Sequence, residues 1–110
     1  MSRELKSIEP DELEALLEKN DGNTVLLDIR DKMEIHNEFE DQANVVNIPL
    51  KLLPSQLEAL APFKDKTIVL VCRSGMRASR AQKLLAQKGF KDLRVLKGGV
   101  VLWERFKNHS

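Results

Sequence analysis

At 110 residues the chain is long enough for one domain with a real core, without disulfides or metals to hold it. Its composition, 42% hydrophobic and 32% charged with a single cysteine, is that of a soluble globular protein. It excludes an internal disulfide, a CxxC redox pair and a zinc site built on several cysteines. The net charge of +1 and the 5% aromatic content give no footprint for nucleic acid.

The predicted elements alternate along the chain. "SIEPDELEALLEKN" (7–20) reads as a helix introduced by Pro10, with Leu13, Leu16 and Leu17 on one face and "NDGN" ending it. "TVLLDIR" (24–30) is an apolar run that closes on charges, as a buried strand does. "MEIHNEFE" (33–40) suggests a short helix, "ANVVNIPL" (43–50) a strand stopped by Pro49, and "LPSQLEALAPF" (53–63) a helix with Leu53, Leu57 and Leu60 inward. "TIVLVC" (67–72) is the clearest strand, β-branched and almost wholly apolar. "RASRAQKLLAQKG" (77–89) follows as a helix with Ala78, Ala81, Leu84 and Leu85 on one face and Gly89 at its end. "DLRVLKGG" (92–99) is a final strand and "VVLWERFKN" (100–108) a closing helix. Such alternation predicts a mostly parallel sheet of about five strands with helices on both faces, in one unit spanning residues 1–110. Ligands of such sheets bind at the carboxyl ends of the strands, where Cys72 and the pair Asp28 and Arg30 both fall.

No window reaches the roughly 20 apolar residues of a membrane span, and the first residues lack a signal-peptide core. No membrane association is expected. A lone free cysteine fits the reducing cytoplasm, the expected compartment. No metal or cofactor is called for.

The charge is unevenly spread. Residues 1–65 hold fifteen acids and seven bases, and residues 66–110 hold two acids and eleven bases. Lys83, Lys88 and Lys91 read as a solvated helix face. Arg73, Arg77 and Arg80 differ because they cluster just after the cysteine. Their field favours a thiolate and attracts anions. A strand that turns straight into a helix leaves unpaired amides at the helix start, and these, with the helix dipole, form an anion-binding nest. In "CRSGMR", Gly75 permits the positive φ such a curl needs, and Cys72 lies at its bottom. The competing account is a buried strand cysteine with no chemistry. The two histidines, His36 and His109, read as surface residues, so the thiolate would depend on dipoles and arginines rather than on a base.

Three segments together resemble the rhodanese family, the thiosulfate/persulfide sulfurtransferases. They are "LLDIR", "VLVCRSGMRASRAQKLLAQKGF" and "VLKGGVVLWE", with "NIPL" between the first two, so the resemblance covers about residues 5 to 107. It implies the rhodanese-like three-layer α/β fold, and a Cys72 that accepts a sulfane sulfur from thiosulfate or a persulfide donor. An external acceptor (cyanide, a thiol or a protein cysteine) then takes the sulfur, since the chain has no second cysteine. The amides of residues 73–77 would cradle the sulfur, Arg77 and Arg73 would hold the donor's oxyanion, Ser74 could add a hydroxyl, and Met76 would wall the pocket. Arg30 is read either as lining the site mouth or, with Asp28, as fixing the loops. Gly98, Gly99 and Trp103 are read as structural support. One stretch departs from the family: "EIHNEFEDQANVVNIPL" lacks the His-Ile and Gly-Ala that relatives carry there. Its acids Glu34, Glu38, Glu40 and Asp41 are read as a solvated helix face or as a selective rim. A phosphatase is disfavoured because four residues separate Cys72 from Arg77, where cysteine phosphatases have five. A redox-sensing or docking module is the other alternative.

Overall fold

The computed structural model describes residues 6–109. Five strands form one sheet in the order β1-β5-β4-β2-β3, and every neighbouring pair is parallel. They are β1 (Lys6–Ile8), β2 (Thr24–Asp28), β3 (Val45–Asn47), β4 (Thr67–Val71) and β5 (Asp92–Leu96). Helices α1 (Pro10–Lys19) and α4 (Gly99–Asn108) cover one face. Helix α3 (Met76–Ala86), with the irregular segment from residue 50 to 63, covers the other. Parallel strands need crossovers that return over a face, which is why both faces are covered and the central strands β2 and β4 are mostly apolar.

The period of two along β4 decides the site. Val69 and Val71 pack with Leu13, Val100 and Trp103, whereas Ile68, Leu70 and Cys72 pack with Ala78, Ala81 and Leu85 of α3. Cys72 therefore follows the strand's alternation onto the α3 face, where the helix begins. A slip of one residue would turn the sulfur to the opposite layer.

Three expectations are corrected. Residues 6–8 form an edge strand rather than the start of the first helix; α1 begins at Pro10, with the Glu9 amide donating to Glu12 Oε1 at 2.8 Å. Residues 33–40 are not a helix. One 3₁₀ turn, Lys32–Glu34, is followed by extended backbone at Ile35 and a left-handed Asn37 (φ 63°). The segment 53–63 is not one helix: 3₁₀ turns at Leu50–Ser55 and Ala61–Phe63 flank a single turn α2 (Leu57–Leu60). Pro62 cannot donate the amide bond that a continuous helix needs there. Leu53 and Leu60 are nevertheless fully buried. Among the described residues no helix is long and apolar enough to cross a membrane.

Candidate active site

β4 ends at Val71, Cys72 follows, and four residues later α3 has begun. Cys72 is buried, 1% exposed. Its Sγ accepts the Gly75 amide at 2.9 Å, so the loop folds back over its own sulfur. Gly75 caps α3 with φ 105°. Any side chain would be strained there by the backbone angle, although a Cβ would meet only ordinary contacts at 3.7 Å, with the Gly98 nitrogen and the Leu96 carbonyl oxygen. The first amides of α3 have no acceptor within the helix and stand at this end of it. The cup thus combines a short amide–sulfur contact with the positive end of a helix dipole.

The same loop is pinned from behind by α4. The Val100 amide donates to the Cys72 carbonyl at 2.9 Å, and the Val101 amide to the Arg73 carbonyl at 3.2 Å. This contact accounts for Gly99, while a Cβ on Gly98 would run into the Leu102 side chain. Both have positive φ, and a Cβ on Gly99 would overlap the carbonyls of Cys72 and Arg73. Trp103, on the next turn of α4, is buried against Phe39, ring centroids 5.4 Å apart. The Gly-Gly-x-x-x-Trp segment therefore holds the cysteine loop by its backbone.

Arg30 and Asp28 lie under the neighbouring loop. Both are buried, at 3% and 2% exposed. The Arg30 guanidinium donates to Asp28 through Nε (3.0 Å to Oδ1) and Nη2 (2.7 Å to Oδ2), to Glu38 through Nη1 and Nη2 (both 2.9 Å), and to the Glu34 carbonyl at 3.2 Å. These bonds engage all five N–H donors of a guanidinium. Burial works against its charge, but the bonds to Asp28 and Glu38 outweigh that and hold its pKa above the ordinary value. The Arg30 bond holds the Glu38 carboxyl down at about 2 against the cost of burial. Asn47 at the end of β3 ties the pair in place, its amide donating to the Asp28 and Arg30 carbonyls at 2.8 and 2.9 Å. Every donor of Arg30 is thus taken, and the residue also lines the hollow that Arg73 borders.

Arg77, in the first turn of α3, reaches the same 31–38 loop from the other side. Its Nη1 and Nη2 meet Glu34 Oε2 and Oε1 at 2.9 and 2.7 Å, two parallel bonds on one carboxylate. Both side chains are about one-third exposed. The bond to Glu34 raises the Arg77 pKa, and attraction to the nearby Cys72 adds to it. In return the Glu34 carboxyl is lowered to about 2, first by Arg77 and then by the Asp31 amide. Glu34 and Glu38 thus belong to two ion-paired anchors and not to a solvated helix face, whereas Glu40 and Asp41 are exposed. The signal for Glu34 was available as Asp31-x-x-Glu34. That spacing closes a capping box, and it does so here, with the Asp31 amide 2.9 Å from Glu34 Oε2.

Arg73 and Ser74 are exposed, and among the described residues the Arg73 side chain has no ion-pair partner. Arg73 borders a hollow of about 250 Å³ between the 31–38 loop and α4, with His36 and Glu104 on the rim. His36 is exposed, as expected, but lies in this loop and not on a helix. Met76 is 79% exposed. It begins α3 on the side away from the buried face of Ala78, Ala81 and Leu85, and so stands on the outer rim rather than walling a cavity. Arg80 is exposed one turn further along.

Comparisons with known proteins agree with this geometry. The family model of the rhodanese-like domain matches residues 9–106. The chain is 37% identical over 101 residues to the Bacillus subtilis protein named "Putative sulfurtransferase YtwF", covering 92% of each chain. It is 32% identical over 83 residues to a protein of Allochromatium vinosum named sulfurtransferase, covering 76% of this chain and 74% of that one. Among solved structures, a rhodanese-related protein from Thermoplasma volcanium superposes with a TM-score of 0.73 at 28% identity over 92% of both chains.

Proposed function

This chain belongs to the rhodanese-like domain family, and from that premise we propose that it is a sulfurtransferase carrying a sulfane sulfur on Cys72. The observation that carries the reading is the 2.9 Å contact from the Gly75 amide to Cys72 Sγ, at the mouth of a six-residue loop that opens onto the start of α3. A buried structural cysteine needs no amide aimed at its sulfur. A nucleophile that alternates between thiolate and persulfide anion is helped by one in both states.

In the first half-reaction the Cys72 thiolate attacks the outer, sulfane sulfur of thiosulfate or a persulfide. The bond between that sulfur and the rest of the donor breaks, and sulfite or a thiolate leaves with the electron pair. The terminal sulfur of the new Cys72 persulfide takes the negative charge and lies among the amides of residues 73–77. In the second, an external nucleophile (cyanide, a thiol or a protein cysteine) attacks that terminal sulfur, and the electron pair returns to Sγ. Arg73, exposed at the mouth, is the guanidinium open to a donor's oxyanion, and Ser74 beside it can add a hydroxyl. Arg77 stands close to the sulfur but already holds Glu34. Six residues from Cys72 to Arg77 make a cup suited to one sulfur, smaller than a phosphoryl group requires.

Steady-state assays with thiosulfate and cyanide test the reading. The expected result is thiocyanate formation with ping-pong kinetics, lost in Cys72→Ser. Thiocyanate formation that persists in Cys72→Ser, or absence of turnover with thiosulfate and persulfide donors alike, would overturn it.

A further inference from the structure

Among the charged groups at the site mouth, Glu34 has no part in the two half-reactions, yet it is held by several bonds. Its Oε2 is held by Arg77 Nη1 and by the Asp31 amide, both at 2.9 Å, and its Oε1 by Arg77 Nη2 at 2.7 Å. Its backbone is fixed as well: its amide donates to the Asp31 carbonyl, and its carbonyl accepts from the buried Arg30. The 3₁₀ turn thus presents a carboxylate, anchored on both sides, to the arginine that begins α3. These bonds fix where the carboxylate stands, even though a part-exposed pair contributes little to stability.

The two parallel bonds from Arg77 to Glu34 are those a guanidinium would offer to a sulfonate. The carboxylate therefore occupies the fork that an oxyanion donor would take, and cancels its charge beside Cys72. Because the Glu34 carboxyl stays ionised down to about pH 2, it occupies the fork throughout the neutral range. The two donor classes feel this differently. Thiosulfate brings its sulfonate to the mouth together with the sulfane sulfur. An alkyl persulfide brings the same sulfur on a carbon chain, with no oxyanion to place.

We propose that Glu34 sets the donor class of this protein, acting as a built-in anion in the Arg77 fork that disfavours thiosulfate-type donors and favours persulfides. The proposal rests on the sulfur-transfer reading for its biological meaning, but its physical content is tested separately.

In a Cys72→Ser background no sulfur can be transferred, and thiosulfate binding is measured by calorimetry with and without Glu34→Gln. Gln is close in shape and removes only the charge. Removing a like charge from the anion's site should tighten thiosulfate binding about tenfold or more. Equal or weaker binding overturns the proposal. So does an equal gain from Glu40→Gln, an exposed acid of the same loop, because the effect would then be a general loss of negative charge. If Glu34→Gln unfolds, Glu34→Ala takes its place, and far-UV circular dichroism identifies the folded variant. With Cys72 present, the ratio of kcat/KM for thiosulfate to that for an alkyl persulfide whose carbon chain bears no charged group should rise about tenfold in Glu34→Gln. A merely structural Glu34 would lower both values and leave the ratio unchanged, which also overturns the proposal. If no donor yields sulfur transfer, the sulfurtransferase reading falls while the binding comparison still decides the role of Glu34.

Discussion

Arg30 and Arg77 both close on the 31–38 loop through carboxylates, and yet they form two different regions of the molecule. Around Arg30 everything is buried: two carboxylates and a carbonyl surround one guanidinium, and no donor is left for a ligand. Around Arg77 the pair is about one-third exposed, and the two bonds leave three of its five donors unassigned. The residue type is the same, so the difference lies in burial and donor count. A saturated, buried arginine fixes where a loop runs. A half-exposed one beside a nucleophile can still exchange its partner. The contrast also separates stability from specificity, since breaking the first should harm the fold and breaking the second should change the chemistry.

The largest effect should come from Arg30→Met. It leaves Asp28 and Glu38 buried without their cation, and removing one side of such a group costs about 3–5 kcal/mol. Urea unfolding would show this as a fall in midpoint at unchanged slope. A loss below about 1 kcal/mol would put Arg30 in the same class as Arg77 and erase the comparison.

Acid should act on the same contrast with a smaller effect. Glu38 stands at about 2 in the folded chain against an ordinary 4.5. A carboxylate with a depressed folded pKa contributes its full stabilisation above its unfolded pKa. That contribution, roughly 3 kcal/mol for this buried group, is lost as pH falls from about 4.5 towards 2. Stability measured across this window should fall steeply, and Glu38→Gln should remove much of the slope. Glu34 is shifted as far, but its exposure to solvent screens the contribution, so Glu34→Gln should flatten the curve much less.

The smallest effect on stability should come from Arg77→Ala, below about 1 kcal/mol, because exposed pairs contribute little. The same variant should change the rate of transfer from thiosulfate clearly. If it unfolds the chain as Arg30→Met does, Arg77 is architecture too.

How far the sequence carried differs between the same two regions. The strand, the six-residue loop and the helix around Cys72 were legible because local chemistry decides them. An apolar run ends in Cys72, Gly75 supplies the positive φ, and the small residues Ala78 and Ala81 allow α3 to lie close to the sheet. The 31–42 stretch was not legible. Its path is decided by Arg30 just before it and by Arg77 from α3, and the pattern of "MEIHNEFE" alone suggests a helix that the bonds of Glu34 and Glu38 override. β1 was missed for a related reason: three residues, two of them exposed, become a strand only because β5 offers an edge. The role of Gly98 and Gly99 was half legible. Structural support was expected, but not that Gly99 would press against the carbonyls of the cysteine loop itself.

The most direct test is the mass of the intact protein after exposure to thiosulfate or an alkyl persulfide, followed by removal of the donor. One added sulfur atom per chain, absent in Cys72→Ser and removed by cyanide, is the predicted result. An unchanged mass with both donors, or an adduct that survives in Cys72→Ser, would contradict the assignment of Cys72 as the sulfur carrier.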